Sequence, residues 1–245
     1  ANTMGRLAQA GINHWGDMPD LLPVLRCIGR EGETAMLRAT GGVNTQKGLL
    51  FSLGIVTAAA GAANPCGESY DIKTVLDTTA QIVAGIVERE LAGGGNKKND
   101  ELTAGEKLYR EHGITGIRGE MEAGLPAVLI NGIPALREAF TKGLSINDAL
   151  VNTLLSLMTC VDDTTVMHRH DPDTMRRWVR ERAGEVLKAG GMIHDRGKMM
   201  VQKLDEEFIA KFTIHVKNLF NRVAHNYYAK NPLTRSEERR VGKEC

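Results

Sequence analysis

Long hydrophobic runs, an excess of one charge, paired cysteines and aromatic side chains are all scarce in this 245-residue chain. Each scarcity removes a class of protein. The longest apolar stretch, Gly48 to Gly61, is shorter than the roughly 18 to 20 residues that cross a bilayer. No signal peptide opens at Ala1, so a cytoplasmic location without membrane attachment is expected. Lys and Arg total 31 against 30 Asp and Glu, which leaves no overall basic field to hold nucleic acid. Any anion site has to be local. The cysteines, Cys27, Cys66, Cys160 and Cys245, form neither a C-x-x-C pair nor a zinc spacing with histidine, so reduced and mostly buried thiols are expected. Aromatic residues make up only 4% while glycine reaches 27 residues, a balance that suits close helix packing and tight helix ends.

What the chain does contain is helical periodicity. Ile72, Val75, Leu76, Thr79, Val83, Ile86 and Val87 recur at three-four spacing and predict one amphipathic helix from about Asp71 to Leu91, ended by the polar Gly93 to Asp100 stretch. Thr103 and Glu106 have capping-box spacing, opening a helix that runs to His112 before Gly113. Ile146, Ala149, Leu150, Leu154, Leu157, Met158 and Val161 form another stripe, started by Ser145 and Asp148. Asp171-Pro172 opens a further helix that turns Met175, Trp178, Val179, Val186 and Leu187 inward and stops at Gly190-Gly191. Leu49 to Ala60 is apolar almost all round and reads as a central, buried helix. No strand alternation or βαβ pattern is visible, so the expected fold is all-α, a single helical bundle with a buried central helix.

Three glycine-flanked polar clusters are the candidates for chemistry. The first is Gly41-Gly42-Val43-Asn44-Thr45-Gln46-Lys47-Gly48, where glycines, free N–H groups and a lysine can meet a phosphate. Taken alone, an ordinary helix entry with a solvated lysine explains it as well. The second is Gly116-Ile117-Arg118-Gly119-Glu120, whose arginine can grip phosphate in a forked geometry and whose glutamate can ligate a metal or accept a proton; a helix-to-helix turn with a paired Arg and Glu is the alternative. The third is Asp162-Asp163-Thr164-Thr165 with His168 and Arg169. Two carboxylates at the end of an apolar helix repel its dipole and each other unless a cation such as Mg²⁺, or a positive side chain such as Arg169 or His168, compensates. Together, Lys47, Arg118 and Arg169 for anions and Glu120, Asp162 and Asp163 for metal suit a polyphosphate substrate.

These motifs carry a resemblance. Gly42 to Gly48 with Phe51-Ser-Leu-Gly54, Leu102-Thr-Ala-Gly-Glu-Lys-Leu-Tyr109, Gly116 to Glu120 and Asp162-Asp-Thr164 resemble, in order and spacing, the triphosphoribosyl-dephospho-CoA synthase family, over roughly Val24 to Ile214. The resemblance implies an all-helical fold and a transferase that moves the 5-triphosphoribosyl group of ATP to the 2′-hydroxyl of 3′-dephospho-CoA with release of adenine. ATP and 3′-dephospho-CoA would be its small-molecule partners. The product would pass to acyl-carrier-protein modification for citrate lyase or malonate decarboxylase. It also carries Asn44, Thr45, Lys47, Arg118, Glu120, Asp162 and Asp163 into the site; by side-chain chemistry Glu120, Asp162 and Asp163 are expected to be catalytic and Mg²⁺-holding carboxylates, and Asn44, Thr45, Lys47, Arg118, His168 and Arg169 substrate and phosphate contacts.

The chain departs from the family pattern at Gln46, where histidine is usual and an amide can only hydrogen-bond, and at Thr165, which replaces an asparagine. The expected organisation is a transferase domain at 1–214, shortened at its N-terminus, then a divergent segment at 215–234. The charged run 235–245 reads as a translated sequencing adapter. Two other readings remain: an incomplete or inactive family member that only binds nucleotide, and another all-α, Mg²⁺-dependent diphosphate enzyme using the Asp162-Asp163 pair.

Overall fold

Several helix starts use a side chain to satisfy backbone N–H groups that the helix itself leaves unpaired. In the computed structural model, which describes residues 2–14, 16–44, 47–64, 71–92, 101–167 and 170–210, Asp71 accepts from Thr74 N at 2.9 Å, Ser145 from Asp148 N at 3.2 Å and Asp171 from Thr174 N at 2.8 Å. Thr103 and Glu106 form the expected reciprocal box, and Gly113 ends that helix in a left-handed conformation. All regular structure among the described residues is helical. In chain order the helices are α1 (Asn2–Ile12), α2 (Met18–Ala39), α3 (Lys47–Ala63), α4 (Ile72–Ile82), α5 (Ile86–Glu90), α6 (Ala104–His112), α7 (Gly116–Glu122), α8 (Ile133–Thr141), α9 (Ile146–Met158), α10 (Thr164–Met167) and α11 (Pro172–Lys188). A π-helical turn, Val128–Gly132, leads into α8, and residues 195–210 are helical.

Two main buried clusters organise these helices. The larger joins Leu7, Leu21, Leu25, Ile55, Leu76, Ile82, Ile86 and Met121, so that α1 to α5 and α7 share one core. The second joins Leu155 on α9 with Ala183 and Val186 on α11 and Leu204 of the 195–210 stretch, with Trp178 and Phe208 meeting edge to face at 5.2 Å. Arg182 Nε to Glu207 Oε2 at 2.9 Å also ties α11 to that stretch. A cavity takes wall residues from both clusters, Leu125 from the first and Leu155 and Leu204 from the second.

Three sequence expectations need correction. The stripe from Asp71 to Leu91 is two helices, because Gly85 takes φ 72° and breaks the run, although Ile82, Val83 and Ile86 stay fully buried across the break. The apolar helix at Leu49 to Ala60 is central to the first core but buried on one side only. Gly54, Ala58 and Gly61 face α1, while Leu49 and Leu53 remain about half exposed. Small residues let α1 approach, and that approach occupies only the small-residue face. The α9 helix ends at Met158 rather than near Val161, and Ile146, Leu150 and Leu154 of its predicted inward stripe are exposed. Among the thiols, Cys160 is half-buried as expected but Cys27 is exposed; Cys66, Cys245 and the Gly93 to Asp100 loop lie outside the described residues.

Candidate active site

The second cluster of the sequence folds into the short helix α7, and two of its glycines are sterically required. Gly116 has φ 56°, and a Cβ there would come within 2.9 Å of Thr164 Cγ2; a Cβ on Gly119 would fall 1.9 Å from Thr115 Oγ1. The first contact seats α7 against the start of α10. The Gly116-Ile-Arg-Gly-Glu120 and Asp162-Asp-Thr164 segments, 40-odd residues apart in sequence, therefore meet in space.

Beyond Glu122 the chain reverses through Gly124 and Leu125, both with positive φ (77° and 54°). A left-handed conformation is costly for a bulky leucine. It folds the backbone back over Glu120: Leu125 N donates to the Glu120 carbonyl at 2.6 Å and Ala127 N to Glu120 Oε2 at 3.3 Å. Glu120 is thereby held half-buried at the wall of a cavity of about 1010 Å³. Val151, Leu154, Leu155, Met158, Val201, Leu204 and Phe208 give this cavity an apolar body, and Thr115, Glu120, Asp162, Asp163, Thr164 and Arg176 give it a polar side.

Asp162 is the most heavily engaged of these. Arg176 donates to it twice, Nε to Oδ1 at 2.9 Å and Nη2 to Oδ2 at 2.8 Å, and Arg180 Nη2 adds a contact to Oδ1 at 2.9 Å. Arg180 Nη2 also reaches the Cys160 carbonyl at 3.1 Å, while its Nε is buried without a partner among the described residues. The carboxylate beside the end of α9 is thus neutralised by two arginines one turn apart on α11. The i, i+4 pair Arg176/Arg180 behind the Asp171-Pro172 helix start was visible in sequence, but its partner was not.

This bears directly on metal binding. The expected ligand set was Glu120, Asp162 and Asp163. Both Asp162 oxygens are taken by guanidinium groups, and among the described residues no group of three or more His, Cys, Asp or Glu side chains is arranged to hold a metal ion. The three-carboxylate set does not fit a divalent ion in this geometry, because guanidinium charge already occupies the position a cation would take.

Next to Glu120, burial pushes the Cys160 thiol up from its ordinary value; the nearby Glu120 carboxylate pushes it further and Arg180 opposes both. The sign keeps Cys160 a thiol at neutral pH. Glu122, two residues on from Glu120, faces elsewhere and caps α5, accepting from Gly85 N and from Val87 N at 3.3 Å.

The other predicted residues are distributed differently. Arg118 lies on α7 but not in the cavity wall, and its Nε donates to Glu90 Oε2 at 2.7 Å. Asn44 caps the start of α3, its Oδ1 accepting from Lys47 N at 3.0 Å, and Lys47 Nζ pairs with Glu33 at 3.3 Å. Neither Asn44 nor Lys47 lines the cavity. Thr45, Gln46, His168 and Arg169 lie outside the described residues. The structure therefore brings Glu120, Asp162 and Asp163 to one cavity, and leaves Asn44, Lys47 and Arg118 outside its wall. Sequence reasoning missed Glu90, Arg176 and Arg180.

The described residues are all-helical, and the cavity among them combines an apolar body with an edge of carboxylates and arginine, the kind of wall that suits a ligand with both polar and apolar parts. A family model described as "ATP:dephospho-CoA triphosphoribosyl transferase" (CitG) matches residues 1–213, and the chain belongs to that family. Among curated proteins it is 42% identical over 189 residues to the "Probable 2-(5''-triphosphoribosyl)-3'-dephosphocoenzyme-A synthase" of Malonomonas rubra, covering 77% of this chain and 60% of that protein. The protein of the same name from Citrobacter koseri is 36% identical over 192 residues, covering 78% of this chain and 62% of the relative. The chain thus spans about three fifths of the length of these relatives. No solved structure matches it.

Proposed function

We propose that the chain acts as a triphosphoribosyl transferase, moving the 5-triphosphoribosyl group of ATP to the 2′-hydroxyl of 3′-dephospho-CoA and releasing adenine. Membership of the family supports the reaction class. The observation that carries the reading to this chain is the cavity below α7, where a held carboxylate, Glu120, stands opposite apolar walls large enough for a nucleoside.

In this reaction the N-glycosidic bond between the ribose C1′ and adenine breaks, and a bond forms between C1′ and the acceptor oxygen. The acceptor hydroxyl gives up its proton, adenine leaves with one, and the triphosphate stays on the transferred sugar. The reacting carbon passes through an oxocarbenium-like state, which a fixed negative charge stabilises. Glu120 and Asp163 take that role in our reading, and one of them accepts the hydroxyl proton. Asp162, with both oxygens engaged, is a positioning residue: it fixes the α9–α10 junction onto α11 and so sets where Asp163 and Thr164 stand.

Lys47 and Arg118 are proposed as phosphate contacts and Asn44 as a substrate contact at the mouth of α3. Thr45 keeps the same proposed role from the motif match, and His168 and Arg169 from the chemistry of their side chains beside the Asp162-Asp163 pair. Mg²⁺ enters only as the counter-ion that travels with ATP phosphates, and no step is assigned to it. The product's use in modifying an acyl-carrier protein, and a cytoplasmic setting, belong to the same proposal. Among the described residues no helix is long and apolar enough to cross a membrane.

The test is incubation of the full chain with ATP and 3′-dephospho-CoA. Adenine should appear only when both are present, together with an adduct carrying the added triphosphoribosyl mass. Adenine formed without 3′-dephospho-CoA, or ATP binding with no adenine, overturns the proposal.

A further inference from the structure

Arg118 turns away from the cavity into a group of arginines. It shares Glu90 with Arg26 of α2: Arg118 Nε meets Glu90 Oε2 at 2.7 Å, and Arg26 pairs with the other oxygen, Glu90 Oε1. Arg89, beside Glu90 on α5, reaches back to the Ala84 carbonyl at 2.7 Å. Arg30 lies one turn beyond Arg26 on the same face of α2, and its guanidinium has no partner among the described residues. Burial lowers the proton affinity of Arg26, and the positive charges of Arg118, Arg89 and Arg30 lower it further, so Arg26 feels all three.

Arg26 and Arg118 share the Glu90 carboxylate with Arg89 and Arg30 close by, and Glu122, which accepts from Gly85 N at the start of α5, is a further carboxylate at this end of the helix, so guanidinium groups outnumber carboxylates. Two arginines on one carboxylate also occur at Asp162, but a group of four lying together repels itself unless another anion is present for part of the time. The group is also reachable, since the side chains of Arg26 and Arg118 are 41% and 35% exposed while Glu90 sits deeper at 22%. Further along the same face of α2, Glu33 pairs with Lys47 at the start of α3 at 3.3 Å.

We propose that Arg26, Arg30, Arg89 and Arg118 form a binding site for a linear phosphate chain, with Glu90 as a resident counter-ion that keeps Arg26 and Arg118 extended until the ligand arrives. The ligand's class follows from the donors: several forked guanidinium groups side by side suit consecutive phosphates rather than a single carboxylate. The site is on the opposite side of α7 from the cavity, whose wall takes residues 116, 117, 119 and 120 but not 118. That the phosphates are those of ATP or 3′-dephospho-CoA rests on the proposed transferase reading; the anion site itself does not.

The test is calorimetric titration of the full chain with inorganic tripolyphosphate. Arg30→Gln is the key variant, because Arg30 makes no contact whose loss would disturb the fold. It should weaken tripolyphosphate by about fivefold, and Arg26→Gln with Arg30→Gln by more than tenfold, as loss of charge-assisted hydrogen bonds requires. Glu90→Gln, which removes the competing anion, should tighten binding several-fold. Unchanged affinity in both arginine variants overturns the site, as does binding that is lost only in Arg176→Gln, which would put the phosphates in the cavity.

Parallel titrations with ATP and 3′-dephospho-CoA distinguish the source: the substrate whose affinity falls in Arg30→Gln supplies the chain, and no fall for either, with tripolyphosphate weakened, keeps the anion site and overturns its assignment to these substrates. Weakened tripolyphosphate binding in a protein that releases no adenine would leave the anion site standing and remove the transferase reading. Adenine release with unaltered tripolyphosphate binding in Arg30→Gln would do the reverse.

Discussion

Arg176 grips Asp162 with two parallel hydrogen bonds, 2.9 Å from Nε to Oδ1 and 2.8 Å from Nη2 to Oδ2. This joins α11 to the α9–α10 junction beside the cavity. Because lysine cannot reproduce a fork, Arg176→Lys should lower both stability and turnover, the stability loss being about 1 kcal/mol for a partly exposed charged pair. Asp162→Asn should cost a similar amount, and in a double-mutant cycle the two losses should not add. Denaturant titration of the four proteins checks this. If Asp162 is a positioning residue, its asparagine variant also keeps the wild-type dependence of turnover on Mg²⁺ concentration; a shifted dependence would make it a ligand after all.

The neighbourhood of Glu120 can be read through Cys160. Burial and the Glu120 carboxylate raise the thiol above its ordinary value, so Cys160 should alkylate with iodoacetamide more slowly than the exposed Cys27 at neutral pH. Glu120→Gln removes one of the two raising influences and should speed alkylation at Cys160, measured by mass spectrometry of that peptide. The same variant should lower adenine release by about 100-fold if the carboxylate takes part in the chemistry. Faster alkylation with full turnover would separate the two and strip Glu120 of its proposed role.

At the α1–α3 crossing the backbones nearly touch. A Cβ on Gly11 would lie 2.0 Å from the Ala58 carbonyl oxygen, and one on Gly61 would lie 2.4 Å from the Ala8 carbonyl oxygen. Both neighbours are backbone and cannot rotate aside. Gly11→Ala should therefore destabilise the chain by about 3 kcal/mol, the upper end for overpacking, despite alanine's better helix propensity. A melting temperature equal to wild type would contradict the close approach.

Asp171 caps α11, accepting from the backbone N–H of Thr174, and its carboxyl is held below the ordinary carboxylate range first by the Thr174 hydroxyl and then by that N–H. A lowered folded-state value means that the cap's contribution is complete above the unfolded value and fades as pH falls through the folded one. Asp171→Ala should thus melt at a lower temperature than wild type at pH 7, with the gap closing in acid. Melting curves from pH 7 down to about 2 test the sign; a gap that widens in acid would refute it.

The parts of the site that were legible in sequence were those encoded locally. The caps at Thr103, Ser145 and Asp171 marked three helix starts to the residue, whereas the Gly116 to Glu120 cluster, read as a glycine-flanked turn ahead of a helix, is itself the helix α7. The break at Gly85 was not legible, because the apolar stripe continues inward on both sides of it. Nor was the fate of Asp162: two adjacent aspartates at a helix end require compensation, but spacing alone could not distinguish a metal from arginines on a later helix.

Helix class, the positions of most caps and the all-α architecture were determined by the sequence itself, because periodicity and capping act over three or four residues. Tertiary structure alone decided which charges meet. Arg176 and Arg180 reach Asp162 across 14 and 18 residues, and Arg26 approaches Arg118 only through Glu90 on a third helix. Ion pairing depends on distance in space, and distances between helices are set by packing, here by small residues that let α1 and α3 close together and by the reversal at Leu125 that returns the chain over Glu120.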